Sequence, residues 1–147
     1  MKKLMFMVLT FVMMFSLTKI EVEAARKPDR YINVHYKRKD ADYDKFRYIW
    51  LWGDTTEPGL KWPQGRMANG KTEFGVLFKV PLRKNAKYLG MILMDDKGNK
   101  DMGDKIAENL KDVSNIFLYQ GDNTIYLSPV KDYKFPDKIV NVDNTSL

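Results

Sequence analysis

Hydrophobic and polar residues alternate with a period of two in several short stretches of this chain, the pattern of half-buried strands. Tyr31 to Tyr36 reads YINVHY, with Ile32, Val34 and Tyr36 on one face and Tyr31, Asn33 and His35 on the other. Arg47 to Gly53 (RYIWLWG), Phe74 to Val80 (FGVLFKV), Tyr88 to Met94 (YLGMILM), Asn115 to Tyr119 (NIFLY) and Thr124 to Leu127 (TIYL) follow. Between them stand Gly53-Asp54, Pro58-Gly59, Asn69-Gly70, Lys97-Gly98-Asn99 and Gly121-Asp122-Asn123, all with turn chemistry. Short strands at that spacing predict an all-β fold, an antiparallel β-sandwich of immunoglobulin or fibronectin type. One short helical turn is expected at Asp104 to Lys111, where Ile106, Ala107 and Leu110 recur at helical spacing.

The first 24 residues follow a different pattern. Lys2 and Lys3 precede an apolar run from Leu4 to Leu17, and the stretch ends in Val22-Glu23-Ala24. The run is shorter than the roughly 20 residues a helix needs to cross a bilayer. Charged start, short apolar centre and small-residue end describe a secretory signal peptide over 1–24, cleaved near Ala24. The mature protein is then expected to be secreted and to have no membrane span. The domain reading is a signal peptide at 1–24, a β-sandwich module at 25–129, and a linker or truncated start of a further module at 130–147.

Charge says less than its total implies. The formal +6 falls by one when Lys2, Lys3, Lys19, Glu21 and Glu23 leave with the signal peptide. Basic clusters such as Lys37-Arg38-Lys39 are followed by Asp40, Asp42 and Asp44, so no continuous basic stripe forms and no nucleic-acid partner is expected. The chain has no cysteine and one histidine. That excludes disulfides, thiolate zinc and iron–sulfur sites and a cysteine nucleophile, and no cofactor or metal is expected.

The informative constellation is YIWLWGD, at Tyr48 to Asp54. Residues two apart on a strand share a face with Cα atoms about 6.8 Å apart, so Trp50 and Trp52 project side by side. If Ile49 and Leu51 cover the core, both indoles face solvent, which asks for a ligand to cover them. The periodicity equally allows the reverse, with the tryptophans buried as on many sandwich strands. An outward pair suits sugars: an indole covers the C–H face of a pyranose without stripping water from its hydroxyls.

With these residues in order, the chain resembles the pullulanase-associated carbohydrate-binding module, carbohydrate-binding module family 41, from about Ile32 to Pro129. The resemblance runs through INVHYKRKDADYDKF, YIWLWGD, WPQG, TEFGVLFKVPL, LGMILMDDKGNKD and IFLYQGDNTIYLSP. It implies a noncatalytic β-sandwich that binds α-glucans such as amylose, amylopectin, pullulan and glycogen, and maltooligosaccharides. It also implies outward tryptophans. Trp50 and Trp52 would stack on adjacent glucoses, and a lysine and an aspartate from a following loop would bond hydroxyls. Those two positions fall on Lys100 and Asp104, with Asp101 the alternative because the loop is one residue shorter than the family pattern. An ammonium with three donors and a carboxylate that only accepts can together engage vicinal hydroxyls. By themselves, Lys100 and Asp104 read as a solvated turn with a helix cap at Asp104.

Other residues read as structural. His35 has no second ligand or nucleophile near it in sequence, and Trp62 beside Pro63 is expected to pin a loop to the sandwich. Asp95, Asp96 and Asp101 sit on one polar turn, without the apolar pocket that raises a glycosidase acid's pKa. The functional expectation is a module that holds a covalently linked pullulanase-type debranching enzyme on its polysaccharide. The alternatives are a secreted adhesion domain with buried tryptophans and a small glycosidase.

Overall fold

The computed structural model describes residues 27–56 and 60–139. The signal-peptide reading of 1–24 lies outside the described residues. Among the described residues eight strands occur in chain order: β1 (Arg30–Lys37), β2 (Tyr48–Gly53), β3 (Arg66–Met67), β4 (Gly70–Lys71), β5 (Val76–Leu82), β6 (Tyr88–Met94), β7 (Lys105–Glu108) and β8 (Asn115–Tyr119). They form two four-stranded sheets with orders β4-β5-β1-β8 and β3-β2-β6-β7.

Alternation explains which side chains fill the space between the sheets. Ile32, Val34 and Tyr36 of β1, Val76, Phe78 and Val80 of β5, and Ile116 and Leu118 of β8 point inward from one sheet. Ile49 and Leu51 of β2, Leu89, Met91 and Leu93 of β6, and Ala107 of β7 meet them from the other. One apolar cluster joins both sheets, so the fold is the β-sandwich expected from the strand pattern.

Three local expectations are corrected. The helical turn at Asp104 to Lys111 is instead strand β7, paired antiparallel with β6 through Tyr88↔Glu108 and Met91↔Lys105. Its alternation is inverted in polarity. Lys105 is buried with its Nζ donating to Asn123 Oδ1 at 2.9 Å, and Ile106 faces out at 55% exposure. Burial depresses the Lys105 pKa, partly offset by the charges of Asp122 and Asp104. The Thr124 to Leu127 stretch forms no strand, only a single bridge from Tyr126 to Phe117. The pairing is also not wholly antiparallel, since β1 and β8 run parallel with Val34 opposite Ile116.

Residues 130–139, expected as linker, contain no strand and lie against the outer side of β8. The Val130 N–H donates to the Tyr119 hydroxyl at 2.8 Å, and the Tyr133 ring stacks on Tyr119 with centroids 3.6 Å apart. Lys39 Nζ donates to the carbonyls of Pro136 and Asp137.

Candidate functional site: an aromatic platform on the outer face of one sheet

The site grows out of β2. Ile49 and Leu51 are buried, so by alternation Tyr48, Trp50 and Trp52 occupy the outer face, each half-buried. Trp50 lies opposite Ile92 and Trp52 opposite Gly90 on β6. Gly90 is essential to the shape, because a Cβ there would fall inside the Trp52 indole. Without it, the indole lies across the neighbouring strand instead of standing off the sheet. Glycine inside a strand often marks such a close approach. The glycine of YLGMILM is the signal for this that sequence reading passed over.

Trp50 and Trp52 have ring centroids 5.5 Å apart and planes inclined by 35°. Trp50 is fixed further: its Nε1 donates to the Leu60 carbonyl at 2.8 Å, leaving the ring to act through its face. Trp62 stands at 89° to Trp50 with centroids 5.4 Å apart, 40% exposed. It joins the aromatic group as a wall at the Trp50 end. Pro63, next to it, sits over Gly98 of the following turn.

That turn, residues 95–99, leads into the polar part of the site. Asp95 is fully buried and accepts from the N–H groups of Lys97 and Asn99 and from the Asn99 side-chain amide. Burial would raise its carboxyl, but these hydrogen bonds and Lys45 outweigh it and hold Asp95 below the usual carboxylate range. Lys100, next in the chain, bridges to Met94, whose register partner is Tyr48. It therefore lies on the tryptophan face. Lys100 Nζ donates to Asp104 Oδ1 at 3.0 Å, and Asp104 is the more open of the two. The sequence-predicted lysine and aspartate are thus brought together beside the platform.

Asp101 is placed elsewhere. It is 2% exposed and accepts from the Tyr36 hydroxyl at 2.5 Å, the Arg38 guanidinium, and Gln120 Nε2 at 3.1 Å. Burial, together with the Asp101 carboxylate, drives the Tyr36 hydroxyl well above its ordinary pKa. Arg38 pays desolvation too, but its bonds to Asp40 and Asp101 outweigh that and keep it a cation. A buried ion pair with every oxygen engaged is a structural anchor for the loop that carries Lys100. Of Asp95 and Asp101, neither is free to act as a glycosidase carboxyl.

His35 is also structural in setting. Its ring stacks on Phe117 at 4.5 Å with 10° between planes, and Nε2 lies 3.2 Å from Asn115 Oδ1.

Known proteins are similar to this chain in sequence and in fold. Pullulanase A of Streptococcus pneumoniae serotype 2 is 33% identical over 109 residues, 70% of this chain and 9% of its own length. The serotype 4 protein gives the same identity, over 8% of its length. The chain therefore spans less than a tenth of these curated relatives. A solved structure of α-glucan binding by a streptococcal virulence factor superposes with TM-score 0.61 at 33% identity, over 71% of this chain and 51% of that one. The multi-modular glycogen-degrading pneumococcal virulence factor SpuA gives TM-score 0.61 at 31% identity, over 68% of this chain and 11% of that one. The bacterial pullanase-associated domain matches residues 30–127, a span that takes in all eight strands and the tryptophan pair, and the chain belongs to this family.

Proposed function

We propose that this chain is a noncatalytic α-glucan-binding module whose ligand lies on the Trp50–Trp52 platform. The observation that carries the reading is the outward pair of indoles, 5.5 Å apart and inclined by 35°. Successive glucoses of an α-1,4-linked chain are turned relative to one another, and two inclined faces match that turn better than one flat surface would. Stacking buries the C–H faces, and Lys100 and Asp104 select hydroxyls at the edge. The streptococcal relative that binds α-glucan supports the assignment.

In this reading residues 25–129 are the binding module, secreted behind the signal peptide at 1–24. The segment from 130 leads toward a debranching catalytic part on the same polypeptide, which the module holds on starch, pullulan or glycogen. Tethering raises the enzyme's local substrate concentration without any catalytic group in the module.

Titration with maltotetraose should shift the tryptophan emission, and cello-oligosaccharides should leave it unchanged. Affinity should change little with salt, because stacking supplies most of it. An unchanged emission at saturating maltotetraose, with no heat of binding, would sink the assignment.

A further inference from the structure

The outer face that carries the two tryptophans does not end at Trp52. Tyr88 opens β6 and points to the same face, since Leu89, Met91 and Leu93 point into the core. Its ring leans across to β2 and lies against Gly53, with Cε2 2.7 Å from where a Cβ at residue 53 would stand. Gly53 has φ +90°, a conformation that disfavours any side chain there. Trp52 does the reciprocal thing, leaning from β2 across Gly90 of β6. Two glycines on adjacent strands thus let two rings lie down on the sheet as diagonal neighbours.

The surroundings give this end of the platform a direction. At the Trp50 end, the Leu60 carbonyl holds the indole N–H and Trp62 stands as a wall. At the Trp52 end, Tyr88 is 39% exposed and Ile106, opposite Gly90 on β7, is 55% exposed. A single exposed apolar side chain needs no explanation. Here two of them continue an aromatic platform at the end where no wall stands among the described residues.

We propose that Tyr88, bordered by Ile106, is a third stacking surface, so that the site takes at least three consecutive glucoses of one α-glucan chain and Tyr88 sets its response to chain length. The proposal rests on the α-glucan reading above. The phenol face covers a pyranose C–H face as an indole does, and its hydroxyl can donate to and accept from a sugar hydroxyl. A ligand of two glucoses fills Trp50 and Trp52 and leaves Tyr88 bare. A longer one gains the third contact.

The test is calorimetric titration of the full chain with maltose, maltotriose, maltotetraose and maltopentaose, for wild type, Tyr88→Ala, Tyr88→Phe and Trp52→Ala. Thermal unfolding checks that each variant is folded. Wild type should bind the longer sugars at least about fivefold more tightly than maltose. Tyr88→Ala should lose that gain while keeping maltose affinity within about twofold, and Tyr88→Phe should keep the gain. A Tyr88→Ala protein that retains the full gain, or that weakens equally for every length, overturns the proposal. If Trp52→Ala binds maltose as wild type does, the α-glucan reading itself fails, and this failure is distinct from a failure at Tyr88.

Discussion

Both sheets present aromatic residues on their outer faces, and the protein treats the two faces in opposite ways. On the β4-β5-β1-β8 sheet, His35, Phe117 and Tyr119 face out, joined by Phe74 from the turn before β5. The chain covers the β8 end of that face itself: Tyr126, Tyr133 and Phe135 surround Tyr119, which is left 1% exposed. Asp122 ties the cover down by accepting from the hydroxyls of Tyr126 and Tyr133, each at 2.8 Å. On the β3-β2-β6-β7 sheet, Trp50, Trp52, Tyr88 and Ile106 receive no such cover among the described residues. Aromatic content alone therefore does not locate a site. A face that the chain closes with its own segment contributes to stability, and one left open is available to a ligand.

The comparison can be broken from either side. The largest effect is expected on the covered face: Tyr119→Ala should lower unfolding free energy by about 3–5 kcal/mol, because a fully buried ring is removed. Glucan affinity of the remaining folded protein should stay unchanged, as denaturant melts with and without maltotetraose would report. On the open face the pattern should reverse. Trp52→Ala should weaken maltotetraose binding by about 2 kcal/mol, roughly 30-fold, with little change in denaturant midpoint. Gly90→Ala should do nearly the same, because its methyl displaces the Trp52 indole. A large stability loss in Trp52→Ala would mean that the two faces are not distinct in role.

Lys100→Ala should cost about 1–1.5 kcal/mol of affinity, near tenfold, through loss of a charged donor to hydroxyls. Equal affinities for Lys100→Ala and wild type in calorimetry would leave the Lys100–Asp104 pair a surface ion pair only, of the kind that contributes little.

The smallest effect is expected from pH. The Asp122 carboxyl feels burial, which raises it, but the Thr124 N–H and the hydroxyls of Tyr133 and Tyr126 outweigh this and hold it low. Asp40, bonded by Arg38, is also held low, as is Asp54, which accepts the N–H groups of Lys87 and Tyr88. A carboxyl depressed in the folded state adds stability that is present above its unfolded value of about 3.9 and is lost as pH falls through the folded value. Melting temperature should therefore decline below about pH 4, and Asp122→Asn should flatten part of that decline. A decline of equal depth in Asp122→Asn would remove this carboxyl from the account.

Much of the sandwich was legible because its strands obey a simple rule. Tyr88–Met94 and Asn115–Tyr119 begin and end where the apolar run and the turn residues place them. Strand β7 broke that rule: Lys105 goes in and Ile106 goes out, so a period-two strand looked like a short helical face. The single Tyr126 bridge failed as a strand because its stretch serves the cover over Tyr119 instead.

By itself the sequence determined that short alternating strands would bury one face each, and that two tryptophans two residues apart would share a side. It also placed a lysine and an aspartate four residues apart in a later loop. Periodicity left open which side is the outer one; the opposing sheet supplies the apolar wall that claims Ile49 and Leu51, and so turns the tryptophans outward as the resemblance implies. Tertiary structure also set the two aspartates apart: Asp101 is drawn inside by Arg38, Tyr36 and Gln120, all distant in sequence, whereas Asp104 stays more open beside Lys100. Periodicity reports which residues share a face, whereas burial depends on what packs against that face, and here the partners lie many residues away along the chain.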